Sequence, residues 1–410
     1  MKYLPSPRFV VCWLVGSLFL MSTFLLGKLN ANLVYSDILL PLLLLTLIFV
    51  VKQNFEKDLL LPIALLLTYA LISAIVHLYF NRLEIFFSFV IFARSAGVFI
   101  VMLFFSSVAR KYGEKFLWVL LVIVLIAVQN TMMQYMSGVR AYYGYARIGA
   151  NFAPANTGFL IGSLAVSLSG LTILLANQKS LRIRRFVGLS ALFSVALLLM
   201  TGSKSSISGT LVGLVLLGLY SVGKGKGKIS GRFAILLSVV FLFVAGLIVF
   251  SFLTSKGLAY QSFERFDRID SAVVNRIEKW VYFFSNTAHD FSNPIMFLFT
   301  GVGIGAAANF QYKQGSSFFN FDSVLLRMFW EWGPIGAILW LGIFTFILVT
   351  TYKRSQTAGV CMFAIYLFGI VYGFGVEFLW IAPSGYAFAA LIGVLHGSSY
   401  LMSTSLGITK

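Results

Sequence analysis

Apolar residues fall along this chain in long runs separated by short polar stretches rich in lysine and arginine. The runs are about 17 to 25 residues long, the length at which a helix crosses roughly 30 Å of hydrocarbon with every backbone amide paired inside its own segment. In order they are Phe9 to Leu26, Val34 to Val51, Leu59 to Tyr79, Ile85 to Ala109, Phe116 to Met136 and Ala153 to Ala176. They continue with Phe186 to Thr201, Ser206 to Val222, Phe233 to Leu253, Ser323 to Thr351, Thr357 to Phe378 and Ser384 to Met402. The pattern predicts an all-α, polytopic integral membrane protein forming one domain, with about twelve transmembrane helices. Phe186 to Thr201 and Ser206 to Val222 are short enough to be tilted or partly re-entrant.

Composition strengthens this picture. Hydrophobic residues make up 59% of the 410 and charged residues only 11%, too little polar surface to cover a soluble core. The balance is basic, with 31 Lys and Arg against 13 Asp and Glu. If the N-terminus is inside, 18 of those basic residues lie in cytoplasmic segments, opposed only by Glu56, Asp58 and Glu114. Retention of Lys and Arg on the cytoplasmic side therefore accounts for the excess and places both termini in the cytoplasm. A charge distributed in this way gives no reason to expect nucleic-acid binding. The first span follows a short basic stretch without a small-residue cleavage pattern and is expected to be an uncleaved anchor. Cys12 and Cys361 fall inside apolar runs, where they read as small buried hydrophobes.

Two segments on the far side interrupt the short connections. Ser137 to Phe152 is tyrosine-rich and carries Arg140 and Arg147, and Thr254 to Asp322 is the one large loop. Within it Val273, Val274, Ile277, Trp280, Val281 and Phe284 recur at helical spacing, with Arg276 and Lys279 on other faces. That spacing predicts an amphipathic helix on the membrane, its basic residues at the depth of lipid phosphates. They either anchor the helix or meet a lipid-linked phosphate.

Several residues are candidates for chemistry. Arg94 lies deep in the fourth span, where a guanidinium costs several kcal/mol unless it is paired or faces water; it either lines a functional cavity or makes a structural bond to backbone carbonyls. Arg327 and Glu331 are four apart on one helical face and would neutralise each other. Asp322 opens the tenth span, either as its N-cap or as a carboxylate that takes a proton from a sugar hydroxyl. Thr300 to Gly305, TGVGIG, reads as a tight packing turn or an amide nest for an anion rather than an ion-channel filter. Glu264, Asp267 and Asp270, interleaved with Arg265 and Arg268, read as a solvated charged face and not as a metal site. No nucleophilic triad order, phosphate-binding glycine loop with lysine, or paired-cysteine zinc pattern is present, and neither cofactor nor metal is expected.

Three stretches carry a resemblance to a known family. Arg147 to Gly158, RIGANFAPANTG, is similar to the element of an arginine, ten residues and a glycine found in bacterial O-antigen polymerases. Thr201 to Ser206, TGSKSS, is similar to a TGSRS-like turn between two spans, with Lys204 where the family usually has arginine. Arg276 to Gly305, continuing into FDSVLLRMFWEWGPIG, resembles the long periplasmic loop and following span of the O-antigen ligase and polymerase superfamily. The ligase pattern has His-Asn before that span; this chain has Asp322 and Ser323, which favours the polymerase branch.

The resemblance implies a glycosyltransferase of the bacterial inner membrane acting on its periplasmic face. Its substrate would be an oligosaccharide repeat linked through pyrophosphate to a polyprenyl lipid, and its reaction would join repeats into O-antigen or a related surface polysaccharide. Arg147 and Arg276 are then expected to bind the departing pyrophosphate, with Asp322 as base and Arg94, Lys204, Arg265 and Arg327 as further substrate contacts. Membrane lipid is an expected partner, and a chain-length-regulating protein is a further candidate. An O-antigen ligase, or a transporter or flippase of lipid-linked sugars, is the alternative. A transporter should keep its functional charges within the spans, whereas here most concentrated charge lies outside them.

Overall fold

The computed structural model describes residues 6–23, 35–51, 57–79, 85–112, 140–142, 145–147, 154–174, 181–201, 203–223, 274, 277–278, 280–281, 294–307, 323–374, 379 and 384–405. Its elements are α1 (Pro7–Met21), α2 (Tyr35–Thr46, continued by a π turn Leu47–Val51), α3 (Lys57–Tyr79), α4 (Ile85–Tyr112), β1 (Arg140–Tyr142) and β2 (Tyr145–Arg147). They are followed by α5 (Pro154–Leu174), α6 (Leu181–Thr201), α7 (Lys204–Gly223), α8 (Pro294–Thr300), α9 (Val324–Arg354), α10 (Gln356–Gly373) and α11 (Ser384–Ser405).

Ten of the apolar runs thus fold as helices, while Phe116 to Met136 and Phe233 to Leu253 lie outside the described residues. Neither run expected to be short is short. α6 starts at Leu181, taking Arg182, Arg184 and Arg185 into its first turns, and α7 starts at Lys204. Polar first turns extend a helix beyond its hydrophobic stretch, which hydropathy alone does not register. Among the described residues, five helices are long and apolar enough to cross a membrane. Large side chains such as Leu61 (67% exposed), Phe89 (66%) and Ile338 (67%) point outward, while Glu331, His77 and His396 are buried. That inversion suits a lipid solvent, since soluble proteins keep exposed apolar patches small.

Direction follows from which residues meet. Phe159 of α5 contacts Tyr372 of α10, and Gly170 faces Cys361, so the two helices are antiparallel. α7 opposes α10 in the same way, with Gly209 at Phe368 and Tyr220 bonded to Thr357. So does α9, with Phe344 at Tyr366 and Tyr352 at Gly359. α11 runs parallel to α9, from the contact of Phe388 with Phe344 to that of His396 with Arg354. It also runs parallel to α4, because Gly393 faces Met102 and Gly397 faces Ser106. Five helices, α4, α5, α7, α9 and α11, therefore start at the same end of the bundle.

Candidate functional site

The shared starting end is the candidate site. Each helix N-terminus presents unpaired amides and a partial positive charge, so parallel helices starting together make that end attractive to anions. Arg147 is the last residue of β2, seven residues before α5 begins at Pro154. In the antiparallel ladder Arg147 is the register partner of Arg140.

Four residues into α5, Gly158 sits on the start of α7. A Cβ there would lie 2.6 Å from Ser203 Cβ and 2.7 Å from Ser206 Oγ. Only hydrogen in place of a side chain permits this approach. The two hydroxyls of Ser203 and Ser206 are themselves 2.8 Å apart, and both serines are buried. Lys204, the first residue of α7, is half-buried between them. A cation at the positive end of a helix is unfavourable by itself, and an anion would be drawn to both. The glycine that closes the Arg147 element and the TGSKSS turn therefore form one contact, which nothing in their spacing announces.

Arg327 and Glu331 pair as their spacing predicts. Arg327 Nε lies 3.0 Å from Glu331 Oε2, and Nη2 donates to Oε1 at 3.1 Å. Ala307 N–H adds a 2.9 Å bond to Oε1, and Glu331 is fully buried. The guanidinium fork is thus engaged by a carboxylate, the pair that their spacing of four predicts.

Arg94 is paired, one of the arrangements open to a guanidinium in a span. Its Nη2 lies 3.3 Å from Asp37 Oδ2, and Tyr386 Oη donates to Oδ1 at 2.7 Å. That carboxylate comes from α2. Asp37 was the missed residue, and the signal was available: it is the one charged residue inside the run Val34 to Val51.

The TGVGIG segment is packing. Gly301, Gly303 and Gly305 have φ of 61°, 111° and 90°, a region that side chains disfavour. α9 is broken at Gly333 (φ 72°) and Pro334, and Pro334 has no N–H for the carbonyl of Trp330. Val302 N–H donates to Trp330 O at 2.9 Å, Gly303 N–H to Glu331 O at 3.2 Å, and Tyr69 Oη to Trp332 O. The amides that could have cradled an anion instead satisfy carbonyls exposed by the break. Thr300 is held by His77, whose Nε2 is 3.1 Å from Thr300 Oγ1.

Ser323, not Asp322, is the N-cap of α9: its φ is −151° and its Oγ accepts from Leu326 N–H at 3.4 Å. This corrects the capping reading of Asp322, a residue that itself lies outside the described set, as do Arg265 and Arg276. Of the expected amphipathic helix, Val274, Ile277, Glu278, Trp280 and Val281 are helical. Val274, Ile277 and Val281 are 51%, 47% and 62% exposed, an outward apolar stripe. Among the described residues no group of three or more His, Cys, Asp or Glu is placed to hold a metal. No protein-family model matches the chain, and no curated protein matches it.

Proposed function

We propose that the chain is a membrane glycosyltransferase that polymerises polyprenyl-pyrophosphate-linked oligosaccharide repeats on the periplasmic face of the bacterial inner membrane. The observation that supports this reading best is the contact of Gly158 with Ser203 and Ser206, which brings two of the elements behind the family resemblance together. They meet at the end where α5, α7 and α9 begin and where the Arg140–Arg147 pair stands close by in sequence.

In this reading a hydroxyl of one lipid-linked repeat attacks the anomeric carbon of the growing chain. The new glycosidic C–O bond forms as the bond to pyrophosphate breaks, with inversion, and the electron pair leaves on polyprenyl pyrophosphate. Arg147 and Arg276 stabilise that leaving charge, assisted by Lys204, without requiring a metal. Asp322 takes the hydroxyl proton. Arg265 remains a candidate substrate contact, while the carboxylates beside Arg94 and Arg327 move those two toward structural roles.

The test is the lipopolysaccharide profile after deletion of the gene in a strain that carries it. A single repeat attached to the core is expected, and complementation should restore the ladder. Loss of every repeat would overturn the polymerase reading in favour of a ligase or flippase. The flippase alternative draws support from the ion pairs of Arg94 and Arg327, which lie within spans.

A further inference from the structure

At the opposite end of the bundle, α4, α9 and α11 bring two guanidinium groups onto one aromatic ring. Arg110 Cζ lies 4.1 Å and Arg354 Cζ 3.7 Å from the ring centroid of Tyr400. We propose that this junction binds the phosphate of an anionic phospholipid in the inner leaflet.

The sequence builds the junction through Gly393 and Gly397, spaced by four on α11. A Cβ on Gly397 would lie 2.9 Å from both Ala109 Cβ and Arg110 N. Glycine thus lets α11 press its backbone against the last turns of α4, as small residues do where membrane helices meet. One turn later this places Tyr400 beside Arg110.

Arg354 is aimed by a chain of hydrogen bonds. Thr351 donates its hydroxyl proton to Ile347 O at 2.7 Å, so its oxygen accepts from His396 Nδ1–H at 2.6 Å. His396 Nε2 is then the acceptor for Arg354 Nη1 at 3.2 Å. The imidazole is buried, and through Nε2 it orients the guanidinium. The ring of Tyr400 holds both cations without removing their charge.

Two guanidinium groups gathered on one ring present planar forks that match phosphate oxygens. The location selects a lipid. α9 ends at Arg354 and α10 begins at Gln356, so the junction lies at the end of two apolar helices. Phe346 (38% exposed), Val349 (43%) and Tyr352 (47%) give acyl chains an apolar surface in the turns of α9 before Arg354. Basic pockets between helices on the cytoplasmic side suit anionic headgroups.

The test follows the thermal midpoint of the purified full chain in detergent as dioleoylphosphatidylglycerol, dioleoylphosphatidylcholine or inorganic phosphate is added. The anionic lipid should raise the midpoint and the other two should not. Arg110→Gln should need about tenfold more anionic lipid for the same rise, the loss of one charge-assisted contact. Lys353→Gln, which removes the same charge from an exposed position, should behave as the unaltered protein. If Arg110→Gln does not fold, native mass spectrometry of Arg354→Lys decides: bound phosphatidylglycerol should be lost relative to the unaltered chain. Equal stabilisation by phosphatidylcholine or inorganic phosphate, equal effects of the two glutamine variants, or undiminished lipid on Arg354→Lys would overturn the assignment.

Discussion

Tyr386 donates to Asp37 across 349 positions of sequence, and the other oxygen of that carboxylate faces Arg94. Both charged side chains are mostly buried, at 18% and 12% exposure. Removing one partner of such a pair strands the other. Asp37→Leu is expected to destabilise the protein by about 2–4 kcal/mol, less than for a fully dry pair because both groups keep some exposure. Asp37→Leu combined with Arg94→Leu should recover most of the loss, because no uncompensated charge remains. Thermal unfolding in detergent checks both. If the double variant is as unstable as the single one, the pair is not what holds α2 against α4.

Gly158→Ala places a methyl group against Ser203 and Ser206 and should cost about 1–3 kcal/mol by overpacking. The accompanying expectation is a shortened polysaccharide ladder. Adding Ser203→Gly removes the Cβ that the new methyl strikes and should restore part of the ladder. Full activity of Gly158→Ala would show that the contact does not matter to function.

Arg147→Lys and Arg276→Lys separate charge from geometry. Lysine keeps the charge but loses the fork that grips two phosphate oxygens. Turnover of a lipid-linked repeat by purified protein should fall about tenfold or more in each variant, corresponding to one lost bidentate contact. Near-normal rates from both would eliminate the clamp.

Glu331→Gln keeps an oxygen for Ala307 N–H but removes the charge opposite Arg327. A destabilisation of about 3–5 kcal/mol is expected because both side chains are buried. The measurement is again the unfolding midpoint, and a shift below the error would mean that Arg327 has another counter-charge.

A reporter fused within residues 254–322 should be periplasmic, and one within residues 224–232 cytoplasmic, as the distribution of basic residues requires. Both on one side would overturn the orientation and with it the leaflet assigned to Arg110 and Arg354.

The helices were legible because membrane burial writes itself as uninterrupted apolar runs, and Arg327 with Glu331 was legible because four residues make one helical turn. Both signals are local. The partners of Arg94 and Gly158 come from other helices, and no periodicity within one segment points to Asp37 or Ser203. Helix packing decides those contacts. TGVGIG is compatible in sequence with either a packing turn or an anion nest; what selects the packing turn, the carbonyls at the Gly333–Pro334 break, lies on α9 and is not local to the segment.

That break has a mechanical consequence. The first half of α9 ends on carbonyls whose hydrogen bonds are completed by the turn after α8 and by Tyr69 of α3, so the break ties these three pieces together. A substitution at Gly301 or Gly333, whose added Cβ would strike backbone atoms of the other, would therefore disturb α8 and both halves of α9 together.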